Sequence, residues 1–158
     1  MSTYAERGAA QVVSLTIPAQ ARWLVLCRLV LSGLCDANRV DEETVADLKL
    51  AVTEACSNSV RHAYAGGASG MVTVRYQLDS TSCFVEVADA GQGFAFERPL
   101  PSLPVSLDEE SLDDLREDEM GLSIIQSLVD ELDIGAASNG RGTRIAFRMS
   151  LAREKGAD

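Results

Sequence analysis

Leu48-Lys49-Leu50-Ala51-Val52-Thr53-Glu54-Ala55-Cys56-Ser57-Asn58-Ser59-Val60-Arg61-His62-Ala63-Tyr64 is the stretch on which the fold turns. With Val45 before it, the apolar residues Val45, Leu48, Val52 and Ala55 recur at helical spacing and give one buried stripe. Glu54 and Asn58 stand one turn apart, so their side chains stack on one face, and His62 adds a third polar group one turn further on. Asp41 supplies an N-cap, and Glu42 and Glu43 place negative charge at the positive end of the helix dipole. The helix is therefore expected to start near Asp41 and to have room to reach Ala65, where Gly66-Gly67 ends it.

A carboxylate and a carboxamide one turn apart can divide the work of phosphoryl transfer. The Asn oxygen is a hard, neutral ligand for Mg2+, and the Glu can orient or deprotonate an attacking hydroxyl. The same pair also suits a plain solvated helix face, so the rest of the chain has to decide.

The chain has 158 residues, enough for one domain with a sizeable core. Its 46% hydrophobic content and mean hydropathy of +0.03 are ordinary for a globular protein. With 24 acidic against 14 basic residues the net charge is −10, which argues against direct binding of nucleic acid and for a protein as any large partner. Cys27, Cys35, Cys56 and Cys83 form no CxxC pair and lie in apolar segments, as reduced core cysteines do. That usage, and an N-terminus without a basic region followed by an apolar run, point to the cytoplasm. The longest apolar stretch, Trp23 to Leu34, is interrupted by Arg28 and is too short to span a membrane.

Taken in order, residues 1–10 form a tail, and Gln11 to Ile17 partly alternates as a strand stopped by Pro18. From Ala19 to Leu34, Trp23, Leu26, Leu29, Val30 and Leu34 follow helical spacing, which predicts a helix closed near Gly33. Trp23 is expected in the core or at a partner interface. After the glycine-rich loop 66–70, Met71–Leu78 and Ser82–Ala88 alternate with period two around Asp79-Ser80-Thr81, a hairpin with one wet face. Its second strand leads into Asp89-Ala90-Gly91-Gln92-Gly93. Glycines there allow close backbone approach to a ligand, and a partly buried carboxylate can accept a hydrogen bond from an exocyclic amine; the alternative is a plain turn after a strand.

Residues 94–120 hold three of the four prolines and then acidic runs through Glu119, the composition of a lid or a linker. Gly121 to Leu132 is predicted as a helix with Leu122, Ile125, Leu128, Val129 and Leu132 on its apolar side. Gly121 at its start either exposes N–H groups to phosphate or simply caps it. Asp133–Ser138 and Thr143–Leu151 are expected to be strands joined through Asn139-Gly140-Arg141-Gly142.

The order ExxxN helix, hairpin, DxGxG, long lid, glycine-started helix and Gly140-Arg141-Gly142-Thr143 resembles the GHKL superfamily of ATP-binding domains over roughly residues 41–150. Within it, Glu54 through Tyr64 and Gly121 through Leu132 look like the bacterial anti-sigma factor serine kinases. The resemblance implies an α+β Bergerat fold: a two-layer sandwich of a mixed, mostly antiparallel sheet packed against helices, spanning residues 11–151 with the lid at about 94–120 and a tail at 152–158.

It further implies ATP or ADP with Mg2+ as cofactors, Glu54 as general base and Asn58 as the Mg2+ ligand. Asp89 would read the adenine amino group, Gly91 and Gly93 would admit the base and sugar, and Gly121 with Leu122 would lie at the phosphates. Thr143 would support the adenine side through its hydroxyl, and either His62 or Arg61 would approach phosphate, the alternative being a solvated helix end. Its partners would be a sigma factor and a STAS-type anti-sigma factor antagonist whose serine it phosphorylates, and the chain would form a homodimer. Glu119 and Met120 depart from the family, which usually has a glycine two residues before the position of Gly121. This departure and the acidic lid motivate the alternative of a non-catalytic module that sequesters its partner with or without nucleotide.

Overall fold

Strict alternation sets the sheet. In β2 (Met71–Leu78) it turns Val72, Val74, Tyr76 and Leu78 to one side, and in β3 (Ser82–Asp89) it turns Cys83, Val85, Val87 and Asp89 to the same side. All eight are buried. The computed structural model describes residues 10–62, 70–90, 120–137 and 142–152. The Asp79 side chain shapes the β2–β3 turn: its Oδ1 accepts hydrogen bonds from the N–H groups of Thr81 and Ser82, each at 2.8 Å, which hold its carboxyl below the usual carboxylate range.

Three further strands complete a five-stranded sheet of order β1-β2-β3-β5-β4: β1 (Gln11–Pro18), β4 (Glu131–Ala136) and β5 (Thr143–Ser150). Every described pairing is antiparallel. The expected sandwich is thus present in its fully antiparallel form. Pro18 is the last residue of β1, at the edge of the sheet, where its missing N–H breaks no ladder.

The helices cover one face. A 3-10 turn (Ala21–Trp23) leads into α1 (Leu24–Ala37), which is followed by α2 (Glu42–His62) and by α3, helical over residues 120–128. Leu31 of α1, Leu48 and Val52 of α2, Ile125 of α3 and the inward residues of the strands share one core. Asp41 caps α2 by accepting the Thr44 N–H at 2.8 Å. The Asp41 N–H donates to the Ala152 carbonyl at 2.9 Å, which pins the start of α2 to the far end of β5. With α2 packed on β3, β2 and β5, its 21 residues, about 31 Å of helix, run back along the sheet toward Asp89 and Thr143.

Three expectations need correction. α1 does not close at Gly33 but continues to Ala37, because Leu31 and Cys35 are fully buried and their burial outweighs the cost of an interior glycine, about 1 kcal/mol. The stop is at Asn38, whose Nδ2 donates to the Leu34 carbonyl at 2.7 Å, followed by Arg39 at φ 54°. The buried stripe of α1 is Cys27, Leu31 and Cys35, while Leu29, assigned to that stripe from the sequence, is 60% exposed. Third, the described helical residues of α3 end at 128, and Leu132 belongs to β4, paired with Phe147 of β5. The Asp130 N–H donates to the Arg148 carbonyl and its carboxylate accepts the Ser150 N–H at 2.7 Å, so pairing with β5 wins over helical periodicity.

All four cysteines are buried and outside any disulfide, as their sequence context predicts. Burial pushes the Cys83 thiol up to about 12. The Tyr76 hydroxyl donates to the Cys27 carbonyl at 2.7 Å, tying β2 to α1, and burial raises its phenol far above the ordinary range. Trp23 packs half-buried against the core with the Arg22 guanidinium 5.2 Å from its ring centre. Among the described residues no helix is long and apolar enough to cross a membrane.

Candidate functional site

Three elements bring the polar groups together. On α2 the line facing the sheet is Leu48, Val52, Ala55 and Ser59; Ala51, Glu54 and Asn58 flank it on one side. Glu54 is half-buried and Asn58 is 4% exposed. The Asn58 Nδ2 has no hydrogen-bond partner among the described residues, an expensive state for a buried amide in a finished interior. A group that can complete its shell fits there.

The second element is the exit of β3. Asp89 is its last residue, 5% exposed, and its Oδ1 accepts the Thr143 N–H at 3.2 Å. Gly142, at φ 79°, presses on it from the start of β5: a Cβ there would lie 1.9 Å from the Asp89 carbonyl oxygen and 2.8 Å from Oδ1. Only a residue without a Cβ lets the two backbones approach so closely.

The third element is α3. A Cβ on Gly121 would lie 2.8 Å from the Glu54 Oε2, so the carboxylate rests directly on the Gly121 backbone. Leu122, next to it, packs half-buried on the core.

The structure therefore joins Glu54 to Gly121, and Asp89 to Thr143. For Thr143 the described contact runs through its backbone N–H; its side chain is buried, at 2% exposure. His62 is the last residue of α2, and its side chain lies outside the described residues, as do Gly91, Gly93, residues 139–141 of the expected turn, residues 63–65 of the expected helix end and the stretch 94–119 with Glu119. Two residues carry more than the sequence reading gave them. Gly142 stands there only in a turn and in the Gly140-Arg141-Gly142-Thr143 motif, and its contact with Asp89 is long-range. Ser59 reads as a small helix residue, and nothing local shows its burial.

An open groove of about 590 Å3 between α1 and α2, lined by Ser32, Gly33, Asp36, Val45 and Lys49 among others, contains none of these residues. Asp36 and Glu42 at that groove disfavour an anionic ligand.

A family model described as the histidine kinase-like ATPase domain matches residues 17–149, and the chain belongs to that family. Its relatives there include the serine-protein kinase RsbW of Bacillus pumilus (strain SAFR-032), 35% identical over 146 residues that cover 91% of this chain and 88% of the relative. The serine-protein kinase RsbW of Bacillus subtilis (strain 168) is 32% identical over 146 residues, covering 92% of this chain and 89% of the relative. The solved structure of the RsbU and RsbW domains of a Mycobacterium tuberculosis protein superposes with a TM-score of 0.64 at 21% identity, over 91% of this chain and 33% of that one, and supports the fold.

Proposed function

We propose that this chain is an ATP- and Mg2+-dependent protein serine kinase that also acts as an anti-sigma factor. It holds a sigma factor away from RNA polymerase and phosphorylates a serine on a STAS-type antagonist, so that the antagonist is released and the sigma factor recaptured. The reading includes a cytoplasmic homodimer whose ATP-binding domain spans residues 11–151. The observation that carries it is the buried side chain of Asn58, whose Nδ2 has no hydrogen-bond partner among the described residues, one turn from a carboxylate resting on Gly121, in a chain of the histidine kinase-like ATPase family.

In this reading the Asn58 Oδ1 would ligate Mg2+ while its buried Nδ2 would donate to a phosphate oxygen, and Glu54 would accept the proton of the attacking serine hydroxyl. Among the described residues no three His, Cys, Asp or Glu side chains gather into a metal cage. One Asn with phosphate oxygens and waters is the donor set that suits Mg2+. Asp89 accepts from the adenine amino group, Thr143 supports that side, and Gly91 and Gly93 admit the base and sugar. Gly121 and Leu122 line the phosphate end, with His62 near it.

The test is incubation of the purified chain with γ-labelled Mg-ATP and the antagonist recovered by co-purification from the source cells. Label on an antagonist serine is the expected result. A bound antagonist that stays unlabelled would support the non-catalytic alternative. Gly121→Ala sharpens the assignment. Its obstacle is the free end of the Glu54 side chain, so the melting temperature should change little, yet the carboxylate must move and transfer should slow by about tenfold or more. An unaltered rate would separate Gly121 from the chemistry.

A further inference from the structure

Ser59 is an anomaly on an otherwise apolar line. Leu48, Val52 and Ala55 precede it at spacings of four, three and four along the side of α2 that lies on the sheet, and all three are fully buried. Ser59 is 1% exposed, and its hydroxyl has no hydrogen-bond partner among the described residues. A helix-interior serine commonly donates back to the carbonyl four residues earlier, as Thr53 does to Lys49 at 2.7 Å; no such bond satisfies Ser59. A buried hydroxyl in that state lowers stability, and alanine would fill the position without the cost.

The topology says what lies opposite. The Asp41 N–H is bonded to the Ala152 carbonyl at the far end of β5, and from Asp41 to Ser59 is about 27 Å of helix. From Ala152 back to Thr143 is about 30 Å of strand. Ser59 therefore sits at the end of the sheet where the inward row is Val72, Asp89 and Thr143, with Val72 paired to Asp89 in register and Thr143 bonded to Asp89. Asn58, the other buried α2 side chain with an unpartnered polar atom, is its chain neighbour.

We infer that the Ser59 hydroxyl is a further polar contact for the base of the bound nucleotide, beside those read for Asp89 and Thr143 and opposite Asp89. This rests on the nucleotide reading given above. A carboxylate accepts from an exocyclic amine, and a hydroxyl donates, directly or through one held water, to the ring nitrogen beside that amine. Together they match the donor-acceptor edge of adenine. Guanine presents the reverse pattern, so the pair discriminates against it.

The experiment is calorimetric titration of wild type, Ser59→Ala and Ser59→Cys with Mg-ATP, Mg-ADP and Mg-GTP, beside melting curves without nucleotide. Ser59→Ala should weaken ATP and ADP by the same factor, about fivefold, narrow the preference over GTP, and melt at the wild-type temperature or above it. Ser59→Cys, a weak donor of similar size, should fall between. Unchanged ATP affinity, a loss confined to ATP, or a clearly lower melting temperature for Ser59→Ala would overturn the inference, the last because the hydroxyl would then serve the fold. A wild-type chain that binds no nucleotide would instead remove the reading on which it rests.

Discussion

Glu54→Ala is expected to cut phosphoserine formation on the antagonist by about 10²- to 10⁴-fold while Mg-ATP still binds. The argument is one of position. Glu54 shares a helix face with Asn58, one turn away, and its Oε2 lies against the Gly121 backbone. A group so placed contributes to the rate when it takes a proton in the transition state. Removing it leaves the proposed base contact at Asp89 and the proposed metal ligand Asn58 in place, so affinity should change little. Initial rates with labelled ATP, alongside a nucleotide titration of the same preparation, separate the two effects. Wild-type transfer in the variant would remove Glu54 from the chemistry.

Gly142→Ala is expected to be the most destabilising small substitution at the site. A φ of 79° costs a non-glycine residue about 1 to 2 kcal/mol, and the new Cβ would also lie 1.9 Å from the Asp89 carbonyl oxygen, which is backbone and cannot rotate away. Together these come to about 3 kcal/mol or more, or a fall in melting temperature of about 6 to 12 °C for a domain of this size. Gly142→Asn tests the cause: asparagine tolerates positive φ, so if close approach dominates it should recover little of the loss. A melting temperature for Gly142→Ala within a degree or two of wild type would show that β3 and β5 do not press together there.

What the sequence reveals follows the range of the interactions involved. The β2–β3 hairpin is legible almost to the residue, because its period of two and the Asp79 turn are both local. The start of α2 is equally plain, since Asp41 caps it through a residue three positions on. The end of α1 is not, because Gly33 looks like a stop unless the full burial of Leu31 and Cys35 is known. Nor is the start of β4, whose Leu132 fits a helical stripe until Phe147 is placed beside it. At the site, the spacing of Glu54 and Asn58 can be read directly along α2. The pressure of Gly142 on Asp89 joins positions more than fifty residues apart, and the buried hydroxyl of Ser59 shows only once the sheet lies beneath it.

The most direct test is a calorimetric titration of wild type and Asp89→Asn with Mg-ATP. The account predicts saturable binding by wild type below about 1 mM and at least about tenfold weaker binding by Asp89→Asn, whose amide no longer accepts from the base as a carboxylate does. Absence of wild-type binding at about 1 mM, or equal affinity in the two proteins, would contradict it.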